Sequence, residues 1–487
     1  MTQFIATEIL HAVERFLATS EDPVLCEPGE EWLAIRPENF AIEVRGGCAQ
    51  VQAWDAHRNL VRRVTGIDRE TRGKLVLKVT RFGKRQGTLE FIDRRRAERE
   101  NLALRSARLG FREQFRRFLR RQFPTYKLAE LTTEADLEHT LSPAYPRALL
   151  RQGASAWAAI GAPPDAIHPD GVLTFGLIWL DYLRQREPML AVHGLVLYLP
   201  SAHAKTTCLR LLFLDPAAAQ YCTFVFDDQG LEARVDLRDF GNLDTHLEPC
   251  RRRPLEAGRL EITGAQTIIR SDGEVSLRIH GLEFARTCGV ELLVGLDQKR
   301  PAGPAAAAQW ASELSRLRSP DAADRKNPLY LRNPEAWLDS EVRRNIQAID
   351  ASLAPSLLYG QVPAFAAADR GVLDLLASDY RGRLAVIELK ASQDLHLPLQ
   401  ALDYWMRVQW HLERGEFQAK GYFPRSETHI ELLREPPRLL LVSPALEFHP
   451  SNERVLRYFS PRIPVERVGI GLEWRKELKV MYRSATP

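Results

Sequence analysis

GVLDLLASDYRGRLAVIELK (residues 371–390) consists of two apolar runs separated by a short polar stretch. The two runs predict strands at Gly371–Ala377 and Arg383–Ala391. Helices are expected before and after them, from Pro334 to about Asp350 and at Leu399–Leu412. This order of elements predicts a mixed α/β sheet flanked by helices.

The turn between the two strands decides which residues face each other. A hairpin centred on Arg381 would place Asp374 opposite Glu388. Such a pairing needs a loop with an odd number of residues, and Gly382 can supply the left-handed backbone that a three-residue loop requires. A two-residue turn would instead pair Asp374 with Leu389.

Two carboxylates and a lysine would then share one face of the sheet. Glu388 and Lys390 are two residues apart on a strand, so their side chains leave the same face. Two close carboxylates repel each other unless a cation neutralises them, and oxygen ligands of this kind suit magnesium or manganese. Such a metal can activate water, and Lys390 can orient or deprotonate that water. The spacing therefore predicts a metal-dependent centre that can activate water and stabilise charge on a phosphate under in-line attack.

Three motifs in this region resemble those of a known superfamily. GxxD (371–374), ExK (388–390) and QxxxY (400–404) are similar, in order and spacing, to the signature motifs of the PD-(D/E)XK nucleases, with QxxxY as in their RecB-like members. The region also resembles the nuclease domain of the NucS endonucleases. The resemblance covers residues 333–415, with weaker similarity through Val480. It implies a restriction-endonuclease-like fold and hydrolysis of DNA that leaves 5′-phosphate ends.

The resemblance also implies roles for single residues. Asp374, Glu388 and the Leu389 carbonyl would bind Mg²⁺ or Mn²⁺. Lys390 would act on the attacking water, and Gln400 would orient the substrate or the metal shell.

Members of the superfamily add an acidic residue from the first helix of the domain. Asp339 lies where glutamate is usual, so it is the expected residue, with Glu341 as the alternative. Tyr404, one helical turn after the glutamine of QxxxY, is expected to contact the substrate.

Other interpretations of the motifs remain open. Asp374 and Glu388 could be solvent-facing strand residues with Lys390 as their ion-pair partner, although the apolar run at 384–387 does not favour exposed charge. A nuclease fold without activity could serve as a nucleic-acid-binding or protein-binding module, and a purely structural interaction protein is a third possibility. ExK alone is weak, because Glu477-Leu478-Lys479 repeats it, where an exposed strand is expected.

At 487 residues the chain is long enough for two to four domains. The expected domains are an α+β domain at 1–125 that ends in a basic helix, a β-rich α+β domain at 126–318, a linker at 319–332, and the nuclease-like domain at 333–487.

The basic helix, expected at Arg94–Arg121, holds eleven arginines against three glutamates. Arg108, Arg112 and Arg116 are its candidate contacts to nucleic-acid phosphates. Alternatively, its arginines are solvated and pair with acidic residues elsewhere.

Weaker patterns in the rest of the chain give further expectations. Ser201–Thr207 superficially resembles a phosphate loop but lacks the glycines that let backbone amides approach a phosphate, so we expect no nucleotide site there. A helix is expected at Val172–Arg184 and a strand at Leu209–Phe213. His396 is expected in a surface loop.

Composition favours a cytoplasmic protein. The six cysteines show no zinc-ligand spacing and indicate a reducing compartment. The longest uncharged apolar run, 171–180, is half the length that a membrane span needs, and the N-terminus has no secretory signature. The expected partner is a nucleic acid, foremost DNA; a homodimer is possible, and no membrane partner is expected.

Overall fold

The protein is described here by a computed structural model that forms two compact units, residues 1–114 and 115–487. The described residues are 2–27, 32–45, 48–55, 59–80, 86–166, 168–250, 262–269, 274–289, 291–365, 372–424 and 430–485. The boundary between the units lies within a long helix, α2 (Arg94–Gln122), which forms where the basic helix is expected.

The first unit contains an antiparallel sheet on which the helix at residues 2–19 packs. Its strands, in the spatial order β2-β1-β7-β6-β5-β4-β3, are β1 (Pro23–Cys26), β2 (Leu33–Ala34), β3 (Phe40–Arg45), β4 (Cys48–Trp54), β5 (Asn59–Thr71), β6 (Lys74–Thr80) and β7 (Gln86–Asp93). Helix α1 (Thr2–Thr19) buries Ile9, Val13 and Phe16 in the core of this sheet.

A six-stranded sheet opens the second unit, in the order β13-β12-β11-β10-β9-β8. Its strands are β8 (Lys127–Thr132), β9 (Arg147–Gln152), β10 (Ser155–Gly161), β11 (Ala191–Pro200), β12 (Gln220–Phe226) and β13 (Glu232–Arg234). Strands β10, β11 and β12 are parallel, so helices α3 (Val172–Arg186) and α4 (Ala204–Leu211) cross between them.

The strand expected at Leu209–Phe213 is wrong, because its first three residues end helix α4. A short apolar run does not by itself distinguish a strand from one face of a helix. Here the crossover between two parallel strands requires the helix, and Leu209 and Leu211 are buried by it.

A small antiparallel sheet follows. Strand β14 (His246–Leu247) joins the last sheet, and the small sheet contains β15 (Gln266–Ile269), β16 (Val275–Ile279), β17 (Leu282–Cys288), β18 (Glu291–Val294) and β19 (Arg300–Pro301). Helix α5 (Pro304–Leu317) packs on it. The expected linker at 319–332 contains the short helix α6 (Pro328–Leu331), and its Tyr330 is buried.

The last sheet has seven strands in the order β14-β20-β21-β22-β23-β24-β25. Its later strands are β20 (Leu353–Phe365), β21 (Val372–Asp379), β22 (Leu384–Leu389), β23 (Arg438–Pro444), β24 (Val465–Ile470) and β25 (Val480–Ala485). The helices around it are α7 (Pro334–Arg344), α8 (Ile346–Ile349), α9 (Leu397–Glu413), α10 (Glu416–Ala419) and α11 (Pro450–Leu456). Parallel pairs β22–β23 and β23–β24 lie among antiparallel ones, which confirms the expected mixed α/β class.

The two faces of this sheet contact different partners. On one face, Ile387 packs in a core with Trp337 of α7. On the other face, Val386 belongs to a larger core with Trp405 of α9 and Leu177 of α3. The last sheet therefore shares an apolar core with the six-stranded sheet.

Helix α7 begins where expected but ends earlier than expected. Pro334 begins the helix as expected, but Asn333 has a left-handed backbone (φ +44°) and its side chain makes no capping hydrogen bond. An N-cap side chain acts from an extended backbone, so Asn333 does not cap the helix. The helix ends at Arg344, and α8 follows after a break at Asn345.

Candidate active site

The β21–β22 hairpin has the register that the sequence predicts. Leu375 pairs with Ile387 and Ser378 with Leu384, so the hairpin is centred on Arg381. The loop spans residues 380–382, between Asp379 and Arg383, whose backbones are hydrogen-bonded.

Gly382 is essential to this loop. Its φ is +93°, and a Cβ there would lie 2.0 Å from the backbone oxygen of Glu431. The Asp379 carboxylate closes the turn by accepting hydrogen bonds from the backbone amides of Arg381 and Arg383. The expected three-residue loop with left-handed Gly382 is confirmed.

This register fixes the backbone positions of the two expected metal-binding carboxylates. The next pair beyond Leu375 and Ile387 would be Asp374 with Glu388. Asp374 belongs to β21, but its side chain lies outside the described atoms. Glu388 is only 3 % exposed, although β22 is otherwise apolar. A carboxylate buried to this extent requires charged or polar partners.

The ammonium group of Lys390 lies close to the Glu388 carboxylate. Its Nζ lies 3.4 Å from Glu388 Oε1 and 3.7 Å from Asp394 Oδ2. Its backbone amide donates to the carbonyl of Val442 on β23, which fixes the position of the residue just beyond the end of β22. The ammonium group is therefore next to the buried carboxylate, as the motif requires.

Helix α9 brings the QxxxY motif to the same place. Gln400 and Tyr404 are one turn apart and line a cleft together with Glu388 and Lys390. Arg407 lies over the Tyr404 ring, 6.0 Å from its centre. Four of the sequence-predicted site residues therefore converge on one cleft.

The cleft has a volume of about 800 Å³ and lies between the last sheet and the six-stranded sheet. One side is formed by the motif residues of β22 and α9. We call the other side the second wall; its residues are His168, Asp170, Gly171, Thr174, Ala202, His203, Lys205, Thr206 and Arg210. The sequence-based prediction of the site missed the second wall.

A buried ion pair joins the second wall to α9. Arg210 Nε and Nη2 donate to the Asp403 carboxylate at 2.9 and 2.7 Å, and Nη1 donates to the Asp170 carbonyl at 2.9 Å. The Arg210 side chain is 7 % exposed and that of Asp403 is 18 % exposed. Asp403 lies within QxxxY, between the glutamine and the tyrosine. Removing one partner of such a pair leaves an uncompensated buried charge, so the pair fixes α9 against α4.

His396 makes a second connection, and its expected surface position is wrong. The residue is half-buried, lines the cleft, and its Nδ1 lies 3.0 Å from Oγ1 of the buried Thr174. Burial lowers the pKa of His396 below its usual value of 6.5; Arg210 and nearby histidines act in the same direction, whereas Asp394 opposes them. Helix α3, which packs on the six-stranded sheet, covers the loop of His396, whereas the sequence alone indicates an exposed loop.

The expected acidic residue of the first helix lies on α7, with its own partners. Asp339 Oδ2 accepts a hydrogen bond from Arg343 Nε at 2.7 Å. The alternative, Glu341, contacts Trp337 Nε1 at 3.1 Å and His280 Nδ1 at 3.0 Å. Neither carboxylate is among the described residues that line the cleft. The role of Asp339 stays a prediction.

The candidate arginines of the basic helix lie on both sides of the unit boundary. Arg108 is exposed and Arg112 is half-buried in the first unit, and Arg116 is half-buried in the second. Arg116 is not among the described cleft residues of the second unit. Phosphate binding by this helix stays a prediction.

The expected magnesium or manganese site also stays a prediction. Within the described part of the chain, no three His, Cys, Asp or Glu side chains lie close enough together to hold a metal ion. The side chain of Asp374 lies outside that described part. The described donors fit the ion in kind, because the Glu388 carboxylate and the Gln400 amide are the hard oxygen ligands that Mg²⁺ prefers.

Comparison of the chain with protein families, with curated proteins and with solved structures found no match. Among the described residues, no helix is both long and apolar enough to cross a membrane.

Proposed function

We propose that this protein is a metal-dependent nuclease that hydrolyses phosphodiester bonds, with DNA as the foremost substrate, and that its last sheet is a restriction-endonuclease-like core. One observation carries the proposal. The ExK residues Glu388 and Lys390 and the QxxxY residues Gln400 and Tyr404, which come from a strand and a helix, line one polar cleft.

The metal ligands would be Glu388, Asp374 and the Leu389 carbonyl. When bound, Mg²⁺ or Mn²⁺ would supply Lewis-acid stabilisation of the phosphate charge and a more acidic water. Burial of Glu388 reduces the solvent screening of its carboxylate charge and so strengthens its attraction for a cation.

Lys390 and Gln400 would act on the water and the phosphate. The Lys390 ammonium, 3.4 Å from Glu388 Oε1, is placed to hold a water by hydrogen bonding and to offset negative charge on the phosphate. The Gln400 amide can donate to a phosphate oxygen or orient the same water. Tyr404, half-buried beside Arg407, offers a ring face and a hydroxyl to the substrate.

The charge of the cleft favours a polyanion. Its described lining holds four Lys or Arg side chains, three His and three carboxylates: Lys205, Arg210, Lys390 and Arg407; His168, His203 and His396; and Asp170, Glu388 and Asp403. With neutral histidines the cations exceed the carboxylates by one, and any protonated histidine adds to the excess. This small net positive charge favours an anionic ligand over a cationic one.

The test is to incubate wild-type protein and the Lys390→Ala variant with end-labelled single-stranded, duplex and branched DNA and with RNA. Each substrate is tested with Mg²⁺, with Mn²⁺ and with a chelator. We expect metal-dependent products with 5′-phosphate ends from the wild type and at least about 100-fold slower cleavage by Lys390→Ala. Thermal unfolding of both proteins checks that the variant is folded.

Two outcomes would contradict the proposal. One is equal cleavage by both proteins, and the other is no cleavage of any substrate by the wild type. Nucleic-acid binding without cleavage would instead support a catalytically silent nuclease fold that serves as a binding module.

A further inference from the structure

We propose that residues 202–206 of the second wall bind the phosphodiester backbone of the substrate strand beside the scissile phosphate, with Lys205 as the main contact. This inference rests on the proposed function, since it names a second set of groups in the same cleft. The segment comes from the six-stranded sheet rather than from the sheet that carries the motifs.

The local structure presents polar side chains to the cleft. A short 3₁₀ turn, Ser201–His203, leads from β11 directly into α4. His203, Lys205 and Thr206 line the cleft, whereas Ala204 is fully buried and anchors the turn. An imidazole, an ammonium and a hydroxyl group are three side chains that proteins use on phosphate oxygens.

The position of these groups relative to Glu388 is fixed by packing. Arg210, one and a half turns along α4, forms the buried pair with Asp403 of α9. Gly171 also approaches His396 closely, because a Cβ at this glycine would lie 3.2 Å from the imidazole Cε1. A strand held by residues 202–206 would therefore keep a constant distance from the motif residues.

Lys205 has a partner that a phosphate can replace. Its Nζ lies 2.5 Å from Asp244 Oδ2, and the two side chains are 41 % and 58 % exposed. An ion pair this exposed contributes little to stability, so exchanging the carboxylate for a phosphate costs little. Arg210, in contrast, is committed to its buried pair and is a positioning residue.

The composition of the segment favours a polymer backbone over a nucleoside triphosphate. The sequence SAHAKTT (residues 201–207) lacks the glycines through which backbone amides enclose terminal phosphates. Side chains at the edge of a cleft can instead follow one phosphate after another along a strand.

The experiment measures binding in the Lys390→Ala protein, so that cleavage does not consume the ligand. Fluorescence anisotropy of a labelled DNA oligonucleotide compares Lys205→Gln with Lys476→Gln, each added to Lys390→Ala, over a series of salt concentrations. Lys476 is the matched control, because it also forms an exposed ion pair, with Asp321 at 3.2 Å, and does not line the described cleft.

We expect Lys205→Gln to weaken binding about five- to tenfold and to reduce the slope of log affinity against log salt by about 0.7–0.9. The Lys476→Gln control should change neither quantity. His203→Gln and Thr206→Val are further variants of the second wall, and each should also weaken binding of the oligonucleotide. Inorganic phosphate and a mononucleotide serve as competitors, and a backbone site predicts that neither displaces the oligonucleotide at equimolar concentration.

The inference and the proposed function can fail separately. Equal affinities and salt slopes for Lys205→Gln and Lys476→Gln would overturn the inference even if the wild type cleaves DNA. Displacement by a mononucleotide would overturn it in favour of a free-nucleotide site. A loss of binding specific to Lys205→Gln in a protein that cleaves nothing would uphold the contact between Lys205 and the phosphodiester backbone and overturn the proposed nuclease activity.

Discussion

The tripeptide Glu-Leu-Lys occurs twice in the last sheet region, at residues 388–390 and 477–479, with different surroundings. In the first copy, Glu388 is buried on a central strand and its lysine lies beside it in the cleft. In the second copy, Glu477 and Lys479 are exposed in the segment that precedes β25. Its exposure was expected, but the expected strand is wrong, since β25 begins only at Val480.

The difference between the copies comes from their neighbours. Residues 388–390 follow a hairpin of fixed register and lie between an antiparallel and a parallel partner strand, under α9. Residues 477–479 follow a series of turns and precede an edge strand. A carboxylate and a lysine gain unusual chemistry only where burial strengthens their electrostatic interaction.

The largest expected effect contrasts the two glutamates. Glu388→Gln removes the charge of a proposed metal ligand from the cleft, so we expect cleavage to fall by about 10²–10⁴-fold, whereas Glu477→Gln should leave the rate unchanged. Single-turnover cleavage of one DNA substrate measures both. Similar cleavage rates for the two variants would show that the buried glutamate contributes no more to cleavage than the exposed one.

The second prediction concerns the ion pair that fixes α9 beside the buried copy. Arg210→Met leaves Asp403 buried without its partner, and we expect a loss of about 3–5 kcal/mol in the free energy of unfolding. Adding Asp403→Leu should recover most of that loss, because no uncompensated charge remains. Urea denaturation measures these variants beside Lys476→Gln, whose exposed pair should contribute less than about 1 kcal/mol. A double variant as unstable as Arg210→Met would contradict this explanation.

The third prediction tests the hairpin that sets the register. Gly382→Ala introduces both a left-handed alanine and a clash with the Glu431 carbonyl, so we expect a loss of more than about 2 kcal/mol. Gly415→Ala is the control, since its φ is +67° but no described atom lies within 4 Å of the added Cβ, and about 1 kcal/mol is expected. Thermal unfolding compares the two. Equal losses would mean that the close contact at Gly382 is unimportant.

The smallest expected effect is a pH dependence from His396. Its pKa is lowered in the folded protein, chiefly by burial, so the unfolded chain binds this proton at a higher pH. Stability should therefore fall as the pH decreases through about 6.5, the ordinary histidine pKa. His396→Gln should reduce this slope without abolishing it, because burial also lowers the pKa of His411 and His449. The slope of stability against pH is obtained from urea denaturation midpoints, measured from about pH 5 to about pH 8 in steps of about one pH unit. An unchanged slope in His396→Gln would contradict the attribution of part of the pH dependence to this histidine.

The sequence predicted what depends on local chemistry. The two apolar runs predicted the hairpin strands, and Gly382 favoured the three-residue loop and its register, which the structure shows, over a two-residue turn. The spacing of Gln400 and Tyr404 predicted that both residues lie on one helix face. The structure brings that face to the cleft that Glu388 lines.

The sequence could not predict what depends on distant contacts. Arg210 and Asp403 are 193 residues apart in the chain, and neither carries a motif of its own. The helix at Leu209 and the covered position of His396 both follow from packing of the six-stranded sheet, which a local apolar pattern does not encode. The interaction of Arg210 with the helix that carries QxxxY could have been suspected only from the acidic residue inside that motif.

The most direct test of the account is a side-by-side measurement of Mg²⁺-dependent DNA cleavage by wild type, Lys390→Ala and Lys479→Ala. The two variants remove the same side chain from the same tripeptide, one beside the buried Glu388 and one in the exposed copy. We predict that Lys479→Ala cleaves at the wild-type rate and that Lys390→Ala is at least about 100-fold slower while unfolding at a similar temperature. Equal rates for the two variants would contradict the assignment of the active site to residues 388–390.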